Sequence, residues 1–297
     1  MERGSIPLSD LSGGFDLQST LESGQSYCWR RDDGREYDEP FATGGDAWYH
    51  TIVEGDVIRA RQRDGQLEWE STTDADPIIR TLLRLDDDLT AIVEATPDDP
   101  LLDAAYDTFR GMRIVSDPPF PTLISFICSA QMRVERIHRM QIALAEAFGE
   151  ELVADGRSYR AFPTPERLAA VGEDELRELG LGYRAPYVRE TARMIADGEH
   201  DPETARELPY EEARDHLTEF VGVGPKVADC VLLFSLDHLE AVPLDTWIQR
   251  AIEEHYPDCA RGSYATTSRA IRERFGGEYA GYAQTYVFHY LRAGLDP

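Results

Sequence analysis

The stretch FVGVGPKVADCVLLFSLDHLEAVPLDTWIQRAI, residues 220–252, puts a cation and an anion at the two ends of a largely apolar segment. Just before it, YEEARDHLTEF (210–220) has the pattern of a helix, which VGVG (221–224) breaks. PKVADCVLLFSL (225–236) then opens a second helix with proline at its first position. The reading is helix, hairpin, helix. Gly222 and Gly224 permit positive φ and close backbone approach. The unpaired N–H groups at the start of the second helix make an anion site that needs no basic side chain. Lys226 lies in that first turn, where the helix dipole disfavours a cation. An ammonium that is also desolvated gives up its proton more readily, and the amine of lysine is then a nucleophile and Schiff-base former. Asp245 follows nineteen positions later, after an extended Val-Pro-Leu, at a helix N-cap. Taken singly, these are a solvated lysine, a structural cap and an ordinary glycine junction. Taken together, at this spacing, they point to chemistry.

The rest of the chain sets the frame. With 297 residues and a hydrophobic fraction of 42%, it is expected to fold with an ample core. No apolar run reaches the ~20 residues that cross a bilayer, and MERGSIPLSDLSGG lacks a signal-peptide core, so a cytoplasmic protein is expected. Cys28, Cys128, Cys230 and Cys259 have no Cys-x-x-Cys spacing, which excludes the familiar zinc and iron–sulfur patterns and suits free thiols in a reducing compartment. Acidic residues outnumber basic ones 56 to 30, for a net charge of −26. That balance by itself argues against a nucleic-acid partner. The excess is spread along the chain, as in DDD at 86–88 and GEDELRE at 172–178, which fits solvated faces and a salt-rich cytosol.

Up to about residue 72 the sequence is β-rich: AWYHTIV (47–53), DVIRARQ (56–62) and QLEWES (66–71), with Glu54-Gly55 and Asp64-Gly65 as hairpin turns. Helical spacing begins near 76, and from about 118 nearly everything reads as helix, including PPFPTLISFICSAQMRVERIHRMQIALAEAFG as one stretch ending at Gly149. The expected fold class is α+β. An N-terminal antiparallel sheet domain with associated helices (1–115) precedes a mainly α-helical helix-hairpin-helix domain (116–297).

The hairpin, Lys226 and PLD at 243–245 resemble the helix-hairpin-helix, Gly-Pro-Asp superfamily of DNA glycosylases, and within it the 8-oxoguanine DNA glycosylases of the eukaryotic type. ESGQSYCWR (22–30), SFICSAQMRVERI (125–137), LGLGYRAPYV (179–188) and GYAQTYVFHYL (281–291) resemble the family's other segments, in order and across nearly the whole chain. The resemblance implies a bifunctional glycosylase and AP lyase acting on double-stranded DNA with a damaged base. It implies Lys226 as the amine that attacks the sugar and Asp245 as the carboxylate that helps it. Gly24, Cys230, Gln284 and Phe288 would hold the extruded base. Gln131, Arg136, Tyr183 and Arg184 would fill the gap and bond the orphaned cytosine, while Gly222, Gly224 and Trp247 would meet the backbone. It implies no cofactor, a monovalent cation at the hairpin carbonyls, and a monomer. The chain departs from the family in having Gln131, Met132 and Arg133 for three asparagines, Trp247 for a histidine and Val221 for a proline. Other readings are the same fold acting on alkylated purines, a non-catalytic DNA-binding module, and an acidic DNA mimic.

Overall fold

The computed structural model describes residues 1–38 and 41–295. Strands β1 (Glu2–Pro7), β2 (Arg30–Arg31), β3 (Tyr49–Val53), β4 (Asp56–Arg63) and β5 (Gln66–Ser71) form one antiparallel sheet in the order β1-β5-β4-β3-β2. The two expected turns carry it: Glu54 and Gly55 have φ of 52° and 87°, Asp64 and Gly65 have 49° and 75°. Consecutive positive φ values are what a tight right-twisted hairpin requires. The edge strand β1 has no alternating β-formers to announce it. Gly4 pairs with Trp69, and a Cβ on Gly4 would lie 2.4 Å from the indole ring. The glycine lets that ring lie against the backbone of the strand.

Helix α1 (Leu17–Glu22) is wholly buried and capped by Asp16, which accepts the Ser19 N–H at 2.8 Å. Its last residue, Glu22, is stabilised by the Tyr49 hydroxyl at 2.5 Å, the Tyr37 N–H at 3.0 Å and an ion pair to Arg31 at 3.2 Å. Helices α2 (Asp76–Leu82), α3 (Leu89–Ala95) and α4 (Pro100–Thr108) follow the sheet. Arg113 is fully buried and gathers the carbonyls of Ser12 (2.6 Å), Arg84 (2.7 Å), Asp87 (2.9 Å) and Gly14 (3.2 Å) around one guanidinium.

The helical part contains α5 (Pro119–Cys128), α6 (Val134–Phe148), α7 (Pro165–Ala169), α8 (Glu173–Glu178), α9 (Ala185–Ala196), α10 (Tyr210–Leu217), α11 (Pro225–Ser235), α12 (Thr246–His255), α13 (Tyr264–Arg274) and α14 (Ala280–Arg292). Two expectations need correction. The stretch ending at Gly149 is not one helix: it breaks between α5 and α6, where Gln131 has φ of 56° and Arg133 is extended. The run after it is not helical either. ELVADGRSYR makes strands β6 (Glu151–Ala154) and β7 (Arg157–Arg160), turned by Asp155 and Gly156 with φ of 49° and 73°. Tyr159 packs beside His50 of the large sheet, ring centroids 5.0 Å apart, so burial against the sheet holds this hairpin in place.

Helix α14 crosses back to the N-terminal part and packs on α4. His289 is seated between Phe41 and Phe109, with centroids at 5.4 and 4.2 Å. The Tyr286 hydroxyl bonds the Met112 carbonyl at 2.5 Å and the Tyr282 hydroxyl bonds Asp87 at 2.6 Å. One continuous buried cluster therefore reaches from Ile6 to Tyr290. Among the described residues, no helix is long and apolar enough to cross a membrane.

Candidate active site

Helices α11 and α12 both begin at a cavity of about 850 Å³. Gly224 is the N-cap of α11, with Pro225 and Lys226 in the first turn. Lys226 is half-buried. Its ammonium donates to the Ser129 hydroxyl at 3.0 Å and lies 5.4 Å from the centre of the Phe126 ring. Ser129 stands in the break between α5 and α6, so the kink that the sequence did not announce is what brings this oxygen to the amine. Asp245 caps α12 by accepting the Ile248 N–H at 2.8 Å. Burial raises its pKa above the usual carboxylate range, and the Ile248 N–H and the Lys226 charge offset only part of that. A carboxylate with raised proton affinity, next to an amine, is suited to take up a proton.

The Pro-Leu-Asp segment is held from behind. Tyr264 accepts the Leu244 N–H at 3.2 Å and donates to Asp229 at 2.7 Å, and Tyr210 donates to the same carboxylate at 2.7 Å. Burial pushes the Asp229 carboxyl up to about 6.

The cavity brings together most of the residues expected of the site. Gly24, Gln131, Gly224, Lys226, Cys230, Asp245, Trp247, Gln284 and Phe288 all line it. Cys230 is buried one turn after Lys226, and burial pushes its thiol up to about 12, so it is a neutral apolar wall. Gly24 has φ of 97°; a Cβ there would lie 2.7 Å from Arg292 Nη1 and 2.9 Å from Val134 Cγ2. Arg136, Tyr183, Arg184 and Gly222 are not on the cavity wall. Arg136 is exposed on α6. Tyr183 is 57% exposed, whereas Arg184 is only 3% exposed, bonds the Ala130 carbonyl and lies 4.3 Å from the Tyr183 ring centre. Gly222 is in the hairpin, where a Cβ would lie 2.7 Å from Tyr187 of α9. The Val221 carbonyl accepts the Thr191 hydroxyl at 2.9 Å, while the carbonyls of Gly222 and Val223 accept no hydrogen bond among the described residues.

Two signals were missed in the sequence. Gln284, Phe288 and Arg292 recur every fourth residue on α14 and so share one face. Arg292 lines the cavity, with its guanidinium carbon 5.3 Å from the Phe41 ring centre and 5.5 Å from that of Phe288. The second signal is a count. Lys226 is the only lysine in the sequence; the other 29 of its 30 basic residues are arginine. A guanidinium cannot be deprotonated in a protein, whereas an ammonium can.

A helix-hairpin-helix with a lone lysine at the head of one helix and a capping aspartate at the head of another, joined to an antiparallel sheet, defines a base-excision type of DNA-repair protein. Residues 124–276 match the HhH-GPD superfamily base excision DNA repair proteins and residues 6–123 match the 8-oxoguanine DNA glycosylase N-terminal domain, and the chain belongs to this family. It is 32% identical to a probable N-glycosylase/DNA lyase of Methanothermobacter thermautotrophicus, over 98% of this chain and 96% of that one. It is 31% identical to the N-glycosylase/DNA lyase of Saccharomyces cerevisiae, over 92% of this chain and 82% of that one. Among solved structures it resembles the Clostridium acetobutylicum 8-oxoguanine glycosylase/lyase in complex with dsDNA containing cytosine opposite to 8-oxoG. There the TM-score is 0.82 and the identity 31%, over 94% of this chain and 92% of that one.

Proposed function

We propose that this protein excises 8-oxoguanine from duplex DNA and then nicks the strand as an AP lyase. The observation that carries the reading is the single lysine, placed at the head of α11 in a cavity shared with Asp245. Asp245 helps remove a proton from Lys226. The Nζ atom bonds to C1′ of the sugar as the C1′–N bond to the base breaks, and the base leaves with its electron pair and takes up a proton. Ring opening gives a Schiff base, loss of a C2′ proton expels the 3′ phosphate, and water releases the lysine. The Asp245 carboxylate also balances positive charge that develops on the sugar.

The target base must leave the stack to reach the cavity. Gly24 would offer its carbonyl to the N7 proton that 8-oxoguanine has and guanine lacks. Gln284 would bond the base edge, with Phe288 and Cys230 against its faces. Tyr183, being exposed, suits a wedge. Gln131, Arg136 and Arg184 would meet the orphaned cytosine, for which Arg184 must exchange its bond to the Ala130 carbonyl. Gly222, Gly224 and the α11 N-terminus would hold a phosphate through N–H groups, with Trp247 beside them. This mode of holding DNA is compatible with a net charge of −26. The free carbonyls of Gly222 and Val223 are where a monovalent cation would bind. The reading includes no other cofactor, a monomer, and action in the cytoplasm.

The test is borohydride trapping on a duplex carrying one 8-oxoguanine opposite cytosine, from low to molar KCl, with wild type beside Lys226→Gln and Lys226→Arg. A covalent adduct with wild type alone is expected. Released base with no adduct at any salt would refute the lysine mechanism, and neither base nor adduct would refute the substrate.

A further inference from the structure

Outside the cavity, close in sequence to the hairpin, two imidazoles and a carboxylate converge. His216 lies in the last turn of α10 and Glu219 just past its end, where the Glu219 N–H bonds the His216 carbonyl at 3.2 Å. His200 comes from the connection between α9 and α10. One donor atom from each of the three lies within 4.8 Å of the other two. None of them lines the cavity. We propose that His200, His216 and Glu219 form a divalent transition-metal site at the root of the hairpin.

The surroundings favour a ligand set over a chance grouping. Both rings pack against the buried Phe220, His200 at 5.6 Å and His216 at 6.3 Å between centroids, which restrains their orientation. His216 Nε2 is 2.9 Å from the Asp201 carbonyl, so Nε2 carries the proton and Nδ1 presents its lone pair. Metal-bound histidines characteristically donate their other N–H to a carbonyl in this manner. His200 Nδ1 lies 3.1 Å from a Glu219 carboxylate oxygen, a contact that an ion would replace.

Metal–nitrogen and metal–oxygen bonds are about 2.0–2.2 Å, so ligand atoms on one ion sit roughly 3–4 Å apart. His200 Nδ1 and the Glu219 carboxylate already stand at that separation, and the Glu219 side chain, 56% exposed, is free to adjust. Two imidazoles and one carboxylate suit zinc, nickel, cobalt or copper; magnesium and calcium prefer all-oxygen sets. Three protein ligands leave positions for water. The acidic surface raises the local concentration of cations.

The site spans the α9–α10 connection and the residue two before Val221, where the hairpin begins. Thr191 of α9 already holds the Val221 carbonyl. An ion there fastens the entry to the hairpin from outside, with no part in the chemistry of Lys226.

The experiment uses tag-free full chain, stripped with chelator and titrated with Ni²⁺ in a calorimeter at molar KCl, beside His216→Asn and Glu219→Gln. One ion per wild-type chain is expected, with a micromolar or tighter Kd. It should weaken at least tenfold in Glu219→Gln and be lost in His216→Asn. At a hundredfold excess of metal over Kd, the wild-type unfolding midpoint should rise by about 4 °C, and that of His216→Asn should not move. Co²⁺ should give a visible absorption band in wild type alone. Circular dichroism of the variants without metal should match wild type, which separates loss of binding from loss of folding. No saturable binding below millimolar metal, or binding that survives either substitution unchanged, overturns the proposal; the second result places the metal on other residues.

Discussion

Asp117 joins the sheet region to α5 and is fully buried. Its carboxylate accepts the Ser26 hydroxyl at 2.6 Å through Oδ2, while Oδ1 has no hydrogen-bond partner among the described residues. Burial pushes its pKa from 3.8 up to about 7, and the Ser26 hydroxyl and the Cys28 thiol offset only part of that. The folded protein therefore keeps this proton where the unfolded chain has lost it. The stabilisation is whole below about pH 4 and is lost progressively as pH rises towards 7. A gap of about three units at 1.36 kcal/mol each amounts to about 4 kcal/mol. Asp117→Asn has nothing to titrate and nearly the same shape. Urea unfolding at several pH values, in constant high salt, should show the two proteins within about 1 kcal/mol at pH 4. Their curves should then part until Asp117→Asn is the more stable by up to about 4 kcal/mol at pH 8. Taking the difference removes the titration of all other groups. Parallel curves from pH 4 to 8 would show that the carboxyl is hydrated or otherwise paired in solution.

Gly24→Ala must place a side chain at φ of 97° and press on Val134 and Arg292. Strain of about 1–3 kcal/mol plus the displaced contacts should lower stability by about 2–4 kcal/mol in urea, and a loss under 1 kcal/mol would contradict the packing described. Asp245→Asn keeps a good N-cap, so stability should change by less than about 1 kcal/mol; strand nicking should fall by about 10²–10⁴, measured on a duplex with a preformed abasic site. The distributed net charge of −26 predicts that the thermal midpoint rises from dilute buffer to 2 M KCl, as screening shortens from about 8 Å at physiological salt to about 3 Å at 1 M. A flat profile in calorimetry would show that self-repulsion is unimportant here.

How much was legible depended on whether a residue's local chemistry dictated its conformation. Glu54-Gly55 and Asp64-Gly65 announced their turns because few residues accept positive φ, and the strands beside them followed. Asp155-Gly156 carried the same signal, but its strands are four residues each and owe their existence to packing on a sheet a hundred residues away. The break before α6 was hidden because Gln131 is no helix breaker by composition; its left-handed conformation is imposed from outside. Lys226 and Asp245 could be paired from the hairpin and the cap, which are local. Ser129 could not be joined to Lys226, since ninety-seven positions separate them. Arg292 was within reach, one turn beyond Phe288.

The placement of His289 between Phe41 and Phe109 has a consequence for how the chain is made. The apolar surface formed by α4, Phe41 and Phe109 gains its cover from a helix encoded roughly 180 residues downstream of α4. At about 5–20 residues per second, the ribosome leaves that trough uncovered for roughly ten to forty seconds. The guanidinium of Arg113 can gather its carbonyls early, but the surrounding hydrophobic surface must wait. Newly made N-terminal segments are therefore exposed to one another while translation continues, and folding should depend on chaperones more during synthesis than when the finished chain is refolded from urea.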